Sequence, residues 1–209
     1  MAMKVIVLAA TKGGVGKSTL ACALAVAAHE EGLKVGIIDA DPQGSTRDWH
    51  ALRKSPAWPA LLEGDTIADM LATARAQDIE WVFVDTPPAL VSIIEPAIRQ
   101  ADLVVVPCRP SPLDILAIDP VVGLCEVHDT PFVFVLNQVP PRTTFAEDAG
   151  KQLRKAGRVL KEAVGARHGF ATAMITGKTA PETERADGKA REEIDAVWQA
   201  IKRLTKAGK

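Results

Sequence analysis

Residues 11–19 (TKGGVGKST) combine the residue types that bind a chain of phosphates. Glycines let the backbone curl so that successive N–H groups point at a phosphate, and a helix that begins directly after them adds its positive N-terminus. Lys17 can reach the outer phosphates, and the Ser18 hydroxyl can bind Mg²⁺. The sequence therefore predicts a nucleoside triphosphate site in this segment, which we call the phosphate loop.

The phosphate loop departs from the usual G-x-x-x-x-G-K-[ST] pattern in one respect. Thr11 stands where that pattern begins with glycine, and a second lysine, Lys12, follows it. The loop thus brings two cations to the triphosphate instead of one.

Three carboxylates follow apolar runs that have the length of a strand. Asp39 and Asp41 end the run that begins at Lys34, and Asp85 closes the run WVFVD. Carboxylates beside a nucleotide can hold Mg²⁺ through water and orient the attacking water. A buried Asp85 would be costly without a partner, so a metal-bound water suits it. Asp39 has an alternative role, which is to cap the helix that begins near Ser45.

Asn137 ends the last apolar run and is the candidate for base recognition. Its amide could pair with the edge of adenine, or it could instead bond to a loop backbone, and the residues alone leave both open. The sequence contains no N-K-x-D motif of the kind that binds guanine.

The elements that must position these residues alternate along the chain. Apolar runs typical of strands buried on both faces lie at Lys4–Ala10, Lys34–Asp39, Trp81–Asp85, Leu103–Cys108 and Pro131–Asn137. Amphipathic stretches that favour helices lie between and after them at Lys17–Glu31, Ser45–Lys54, Ile93–Gln100, Asp114–Val127 and Phe145–Val164. This order predicts an α/β fold, a doubly wound and mostly parallel sheet flanked by helices.

Length and composition set further limits. The 209 residues suit a single domain spanning 1–209, and no apolar run reaches the ~18 residues that a membrane span needs. The three cysteines are an odd number without a C-x-x-C pair, which is typical of reduced thiols in the cytoplasm. They also do not form the pairs that a bridging iron–sulfur cluster would need, so we interpret them as small core residues.

The net charge of −1 hides an uneven distribution. Residues 1–150 carry 11 basic and 19 acidic side chains, whereas residues 151–209, the basic segment, carry 14 and 7. An excess of cations suggests an anionic partner, either nucleic acid or a membrane surface, although solvated helix faces would look similar. The candidates for contacts with a DNA backbone are Arg158, Lys161, Lys178, Arg185, Lys189, Arg191, Lys202 and Arg203.

Four motifs resemble one family. The string KGGVGKST resembles the deviant phosphate loop of the ParA/MinD ATPases, and residues 39–45 (DADPQGS) resemble their first switch segment. Residues 85–88 (DTPP) resemble their Walker B and second switch region. Residues 107–114 (PCRPSPLD) are similar to the proline-rich stretch of the small ParF-type partition proteins. The resemblance covers nearly the whole chain and implies the short type, which lacks the N-terminal DNA-binding domain of larger ParA proteins.

The resemblance implies a function and roles for the residues. The protein would bind ATP and Mg²⁺, form a homodimer around two nucleotides, bind DNA non-specifically and hydrolyse ATP slowly to ADP when a separate ParB-like or adaptor protein stimulates it. Lys12 would reach the partner's nucleotide, and Asp41 would activate water. The implied nucleotide contacts are Lys12, Gly13, Gly14, Val15, Gly16, Lys17, Ser18, Thr19 and Asn137, the catalytic residues are Lys12, Lys17 and Asp41, and the metal-supporting residues are Ser18, Asp39 and Asp85.

The expected place of action is the cytoplasm, in association with the nucleoid. Plasmids, chromosomes, carboxysomes and chemoreceptor clusters are cargoes of such ATPases, so the resemblance leaves the cargo open. MinD-type relatives end in an amphipathic helix that binds membranes, and Ile194, Val197, Trp198 and Ile201 share one helical face here. We favour a final helix that packs on the sheet instead, because residues 192–195 carry acidic side chains that anionic lipid would repel.

Overall fold

One parallel sheet organises the protein. The computed structural model describes residues 2–53, 58–88, 91–141, 144–185 and 188–207. The strands are Lys4–Leu8 (β1), Val35–Asp39 (β2), Ala60–Leu61 (β3), Trp81–Asp85 (β4), Leu103–Cys108 (β5) and Phe132–Leu136 (β6). They pair in the order β3-β2-β4-β1-β5-β6, and every paired neighbour runs parallel. The predicted fold class is confirmed, and the two-residue β3 is an addition to it.

Helices connect the strands and cover the sheet. They are Lys17–Glu30 (α1), Ser45–Ala51 (α2), Ile67–Ala76 (α3), Val91–Ile98 (α4), Pro112–Ile115 (α5), Asp119–Val127 (α6), Phe145–Leu153 (α7), His168–Met174 (α8), Ala180–Thr183 (α9) and Lys189–Ala207 (α10). The strands are buried on both faces, as their continuous apolar sequences predict. One face packs against α1 and α10, and the other packs against α3, α4, α6 and α7.

The final helix belongs to the core. Ile194, Val197, Trp198 and Ile201 of α10 are at most 1% exposed, and the Trp198 ring lies edge-on to Trp81, 4.7 Å away between ring centres. The apolar face that could have entered a membrane is therefore covered by the sheet and α1. Among the described residues, no helix combines the length and apolar character that crossing a membrane requires.

The predicted helix over Phe145–Val164 is wrong in its second half. Helix α7 ends at Leu153, and residues 158–165 instead run beside β6, where isolated bridges join Phe134 to Val159 and Val139 to Gly165. The outer edge of β6 carries backbone groups that need partners, and this segment supplies them, for example from Leu160 N–H to the Phe134 carbonyl at 2.9 Å. The need of the β6 edge for hydrogen-bond partners therefore determines the structure of residues 158–165, although the spacing of their apolar residues favours a helix.

The predicted helix over Asp114–Val127 is two helices. Helix α5 ends at Ile115, and α6 begins at Asp119, with Pro120 in its first turn. Proline has no N–H to donate to an earlier carbonyl and is tolerated in the first turn of a helix, so a new helix begins there. Helix α2 ends at Ala51, and Lys54, the predicted end, lies outside the described residues.

Candidate nucleotide-binding site

The phosphate loop follows β1 and leads into α1 at the carboxyl edge of the sheet, the edge at which all the strands end. Gly14 and Gly16 have φ angles of 75° and 91°, a region that favours glycine. A Cβ on Gly16 would also lie 2.4 Å from the Asn137 amide nitrogen. In the part of the chain that the structure describes, no side chain caps the first turn of α1, so its backbone N–H groups are available to an anion.

Two adjacent side-chain amides, in the segment that directly follows β6, hold the loop. Asn137 Nδ2 donates to the Val15 carbonyl at 2.7 Å, and Gln138 Nε2 donates to the Gly14 carbonyl at 2.7 Å. Asn137 thus does what the alternative interpretation expected, which is to bond to a loop backbone. It also lines a hollow with Gly16 and residues 164–171, so a contact with the base remains a proposal. Gln138 was not predicted, because only the fold places it beside the loop.

Lys17 is buried near the base of the loop. Its Nζ lies 3.4 Å from the Lys12 carbonyl oxygen. Burial lowers the pKa of the Lys17 ammonium, while the charges of Asp85 and Asp41 oppose that change. A partly desolvated ammonium between glycines and carboxylates is well placed for phosphate oxygens.

Asp85 is the most deeply buried carboxylate of the site. It is fully buried at the end of β4, and Thr46 Oγ1 of α2 donates to its Oδ2 at 2.9 Å. Within the described part of the chain, its other oxygen, Oδ1, accepts no hydrogen bond. Burial raises the pKa of Asp85 to about 6, against the influence of the Ser18 and Thr46 hydroxyls. A buried oxygen without a partner fits a Mg²⁺ ion or one of its waters.

Asp39 has the capping geometry that was the alternative to a metal role. Its Oδ1 accepts from the Asp41 backbone N–H at 3.1 Å, and its Oδ2 accepts from the Arg47 N–H in the first turn of α2 at 2.8 Å. Burial raises its pKa, and these backbone bonds oppose that rise. Asp39 therefore fixes the turn between β2 and α2, and its support of a metal remains a prediction.

Asp41 faces the cleft above the phosphate loop. Its Oδ1 accepts from the Gln43 N–H at 3.0 Å, which holds the carboxylate in a turn that follows β2. The residues that share this cleft include Gly13, Gly14, Gly16, Lys17, Ser18, Thr19, Asp41, Gln43, Asp48 and Pro88. The structure thus brings Asp41 to the same opening as the phosphate-binding residues.

The donor set suits a metal that nucleotide and water help to hold. Among the described residues, no three His, Cys, Asp or Glu side chains come together as a metal site. Mg²⁺ in nucleotide sites usually takes one or two protein ligands and fills its other positions with phosphate and water. Ser18 and the free oxygen of Asp85 fit that pattern.

Lys12 forms an ion pair within the same chain. Its Nζ lies 3.0 Å from Asp114 Oδ1, and Arg109 Nε lies 2.5 Å from Asp114 Oδ2. Residues 107–114, the proline-rich stretch that resembles ParF-type proteins, thus contact the phosphate loop through the ion pair between Asp114 and Lys12.

Helix α2 connects the site to a distant turn. Trp49 Nε1 donates to the Lys178 carbonyl at 2.9 Å, and Arg53 donates to the Gly177 carbonyl and to both oxygens of Glu182. A Cβ on Gly177 would lie 2.4 Å from the Leu52 carbonyl carbon, so this turn rests directly on the end of α2.

Part of the basic segment is neutralised within the molecule. Arg191 pairs with Glu30 and Lys202 with Glu31, both at 2.5 Å, and Arg203 pairs with Glu162 at 3.0 Å. The candidates that are exposed and form no ion pair with another described residue are Arg158, Lys161, Lys178, Arg185 and Lys189.

The sheet, the glycine-rich loop that leads into α1 and the carboxylates at the strand ends define a P-loop nucleotide-binding protein. Residues 6–180 match the family described as the CobQ/CobB/MinD/ParA nucleotide binding domain, and the chain belongs to this family of P-loop ATPases. The resemblance inferred from the motifs is confirmed.

The chain is similar to known proteins over nearly its whole length or over about half of it. The maintenance of carboxysome distribution protein A of Gloeobacter kilaueensis is 36% identical over 202 residues, which cover 90% of this chain and 92% of the relative. A ParA protein of Rhizobium radiobacter is 35% identical over 114 residues, 54% of this chain and 51% of that protein. Among solved structures, the MinC:MinD complex of Aquifex aeolicus matches with a TM-score of 0.80 at 19% identity and covers 96% of both chains, which shows the shared fold.

Proposed function

We propose that this protein is an ATPase that positions a cargo by switching between a monomer and an ATP-bound dimer that binds DNA non-specifically. The observation that carries the proposal is that four side chains come together around the phosphate loop at the carboxyl edge of the sheet. They are Lys17, Ser18, Asp41 and Asp85. These residues supply phosphate binding, metal support and a carboxylate at the mouth of one cleft.

Each residue has a separate task in the proposed cycle. The loop N–H groups and Lys17 bind the phosphates, and Ser18 and Asp85 hold Mg²⁺, which supplies Lewis-acid stabilisation when it is bound. Asp41 orients the attacking water from the mouth of the cleft. Lys12 would reach the partner's nucleotide, as its counterpart in the family resemblance does, and would add a positive charge where negative charge develops.

Similarity to proteins named for carboxysome distribution favours a protein assembly as the cargo. That similarity covers 90% of this chain, whereas the similarity to the Rhizobium radiobacter ParA protein covers 54%. We therefore place distribution of a large protein assembly ahead of plasmid partition. The stimulating partner would be a separate adaptor protein on the cargo, and the dimer would act at the nucleoid.

The test is binding to non-specific duplex DNA with ATP, with ADP and without nucleotide. We expect the intact chain to bind DNA only with ATP, Lys12→Ala to lose this binding because the dimer lacks its crossing cation, and Asp41→Ala to keep it while losing hydrolysis. Lys34→Ala is the matched control for Lys12→Ala, since Lys34 is an exposed lysine outside the site. Absence of DNA binding in every nucleotide state would refute the proposed switch.

The cargo needs an experiment in the cell that produces the protein. Deleting the gene should leave large protein assemblies clustered instead of evenly spaced, with plasmids inherited normally. Plasmid loss with evenly spaced assemblies would assign the protein to partition instead.

A further inference from the structure

The side chain of Asp114 is unusual for a carboxylate outside a catalytic cleft. It is 1% exposed, and it forms ion pairs with two cations, Lys12 at 3.0 Å and Arg109 at 2.5 Å. A second bond, from Arg109 Nη2 to Asp114 Oδ1 at 3.2 Å, makes the contact with Arg109 bidentate. Lys12 is 37% exposed, so it reaches from the surface of the loop down to a buried charge.

The backbone around Asp114 holds this carboxylate in place. The Asp114 N–H donates to the Ser111 carbonyl at 3.0 Å, within a short helix that begins at Pro112. Thr11 Oγ1 donates to the Ala117 carbonyl and so ties the phosphate loop to the same segment. The distance between the loop and the carboxylate is therefore set by fixed elements on both sides.

A buried carboxylate cannot easily lose all its counter-ions. An unpaired charge is costly to bury, so Asp114 needs at least one cation at all times. Arg109 satisfies that need with two hydrogen bonds, which leaves Lys12 as the cation that can depart.

We propose that Asp114 positions Lys12 against its own subunit, and that Arg109 remains as the counter-ion of Asp114 when Lys12 leaves for the partner's nucleotide. Asp114 and Arg109 are thus positioning residues that set the availability of Lys12. The departure of Lys12 rests on the proposed function, whereas its retention in the monomer does not.

The two positioning residues must have opposite effects. Asp114→Asn keeps the shape of the side chain but removes the charge that holds Lys12, so Lys12 becomes more available. Arg109→Gln leaves Lys12 as the only counter-ion of Asp114, so Lys12 is held more tightly. If the cluster served folding alone, both variants would shift Lys12 in the same direction.

The first experiment needs no nucleotide. The monomer is treated briefly with acetic anhydride, and acetylation of Lys12 is measured by mass spectrometry relative to exposed Lys34 in the same molecule. We expect Lys12 to react roughly two- to fivefold faster in Asp114→Asn and more slowly in Arg109→Gln, as loss or gain of one partly exposed ion pair implies. Arg109→Lys keeps a cation and should restore the rate found in the intact chain.

The second experiment measures ATP-dependent dimerisation by sedimentation. Asp114→Asn should dimerise at lower protein concentration than the intact chain, and Arg109→Gln at higher concentration. Equal labelling of Lys12 in all variants would overturn the proposal, whatever the protein does with ATP. If the acetylation rate of Lys12 changes as expected and dimerisation does not, Asp114 does hold Lys12 in the monomer. The role of Lys12 across the dimer is then refuted.

Discussion

The carboxyl edge of the sheet and the basic segment differ in how their charges are arranged. At the edge, Lys17, Asp41 and Asp85 are buried or nearly so and face one another around the phosphate loop. In the basic segment, Arg191 pairs with Glu30 at the end of α1, Lys202 pairs with Glu31 directly after it, and other cations are dispersed on the surface. Charges that converge without full pairing indicate a binding site, whereas an excess of charge along the sequence does not by itself indicate one.

The largest expected effect comes from Lys17→Ala. We expect roughly a hundredfold loss of ATP affinity in equilibrium binding, because the variant removes charge-assisted hydrogen bonds to phosphate. Lys178→Ala in the basic segment is the matched control and should leave ATP affinity unchanged, since this side chain is exposed. Equal losses of ATP affinity in both variants would show that the carboxyl edge and the basic segment do not differ in ATP binding.

Asp85→Asn should stabilise the nucleotide-free protein at pH 7.5. The folded-state pKa of about 6 lies above the unfolded value, so the folded state holds a proton that the unfolded state releases, and stability falls as the pH rises from about 4 to 6. Above that window the raised pKa of Asp85 corresponds to a loss of about 3 kcal/mol in the free energy of unfolding. Urea denaturation at pH 7.5 and pH 5 should show a gain that shrinks at the lower pH.

A matched control is Asp65→Asn, which changes an exposed carboxylate and should give no such gain. If Asp85→Asn is no more stable than the intact chain at pH 7.5, the buried charge of Asp85 does not destabilise the folded protein.

Asn137→Ala should weaken ATP binding by about 2 kcal/mol, since it leaves the Val15 carbonyl without its partner. Gln138→Ala should cost about 1 kcal/mol, because its bond to Gly14 is more exposed to water. Calorimetric titration with ATP and with GTP would measure both losses. A loss for ATP alone in Asn137→Ala would assign this side chain to the base, and equal losses would assign it to the loop.

The smallest effect concerns the basic segment. The double variant Arg158→Ala/Lys161→Ala removes exposed cations, and we expect it to lower the salt dependence of DNA binding by a slope of about 2. Arg191→Ala/Lys202→Ala removes cations that are already paired and should change the slope less. Fluorescence anisotropy at several salt concentrations measures both, and the reverse order would show that the ion pairs with Glu30 and Glu31 open on DNA.

The sequence predicts the phosphate loop and the carboxylates because each lies at or directly after the end of a strand, and parallel strands end at one edge. It does not predict the contacts that hold them. Asn137 and Val15 are 122 residues apart and Thr46 and Asp85 are 39 apart, so no local pattern joins them. The error over residues 145–164 has the same origin, since the open edge of β6 exists only once the sheet has formed.

The contact between α2 and the turn at Gly177 has a mechanical consequence. Asp39 and Thr46 fix one end of α2 beside the phosphate loop, and Trp49 and Arg53 fix its other end to residues 177–182. A short helix held at both ends moves as a rigid body. A displacement at its first turn would therefore be transmitted about 10 Å along the helix axis, at 1.5 Å per residue, to the turn at Gly177 that precedes α9.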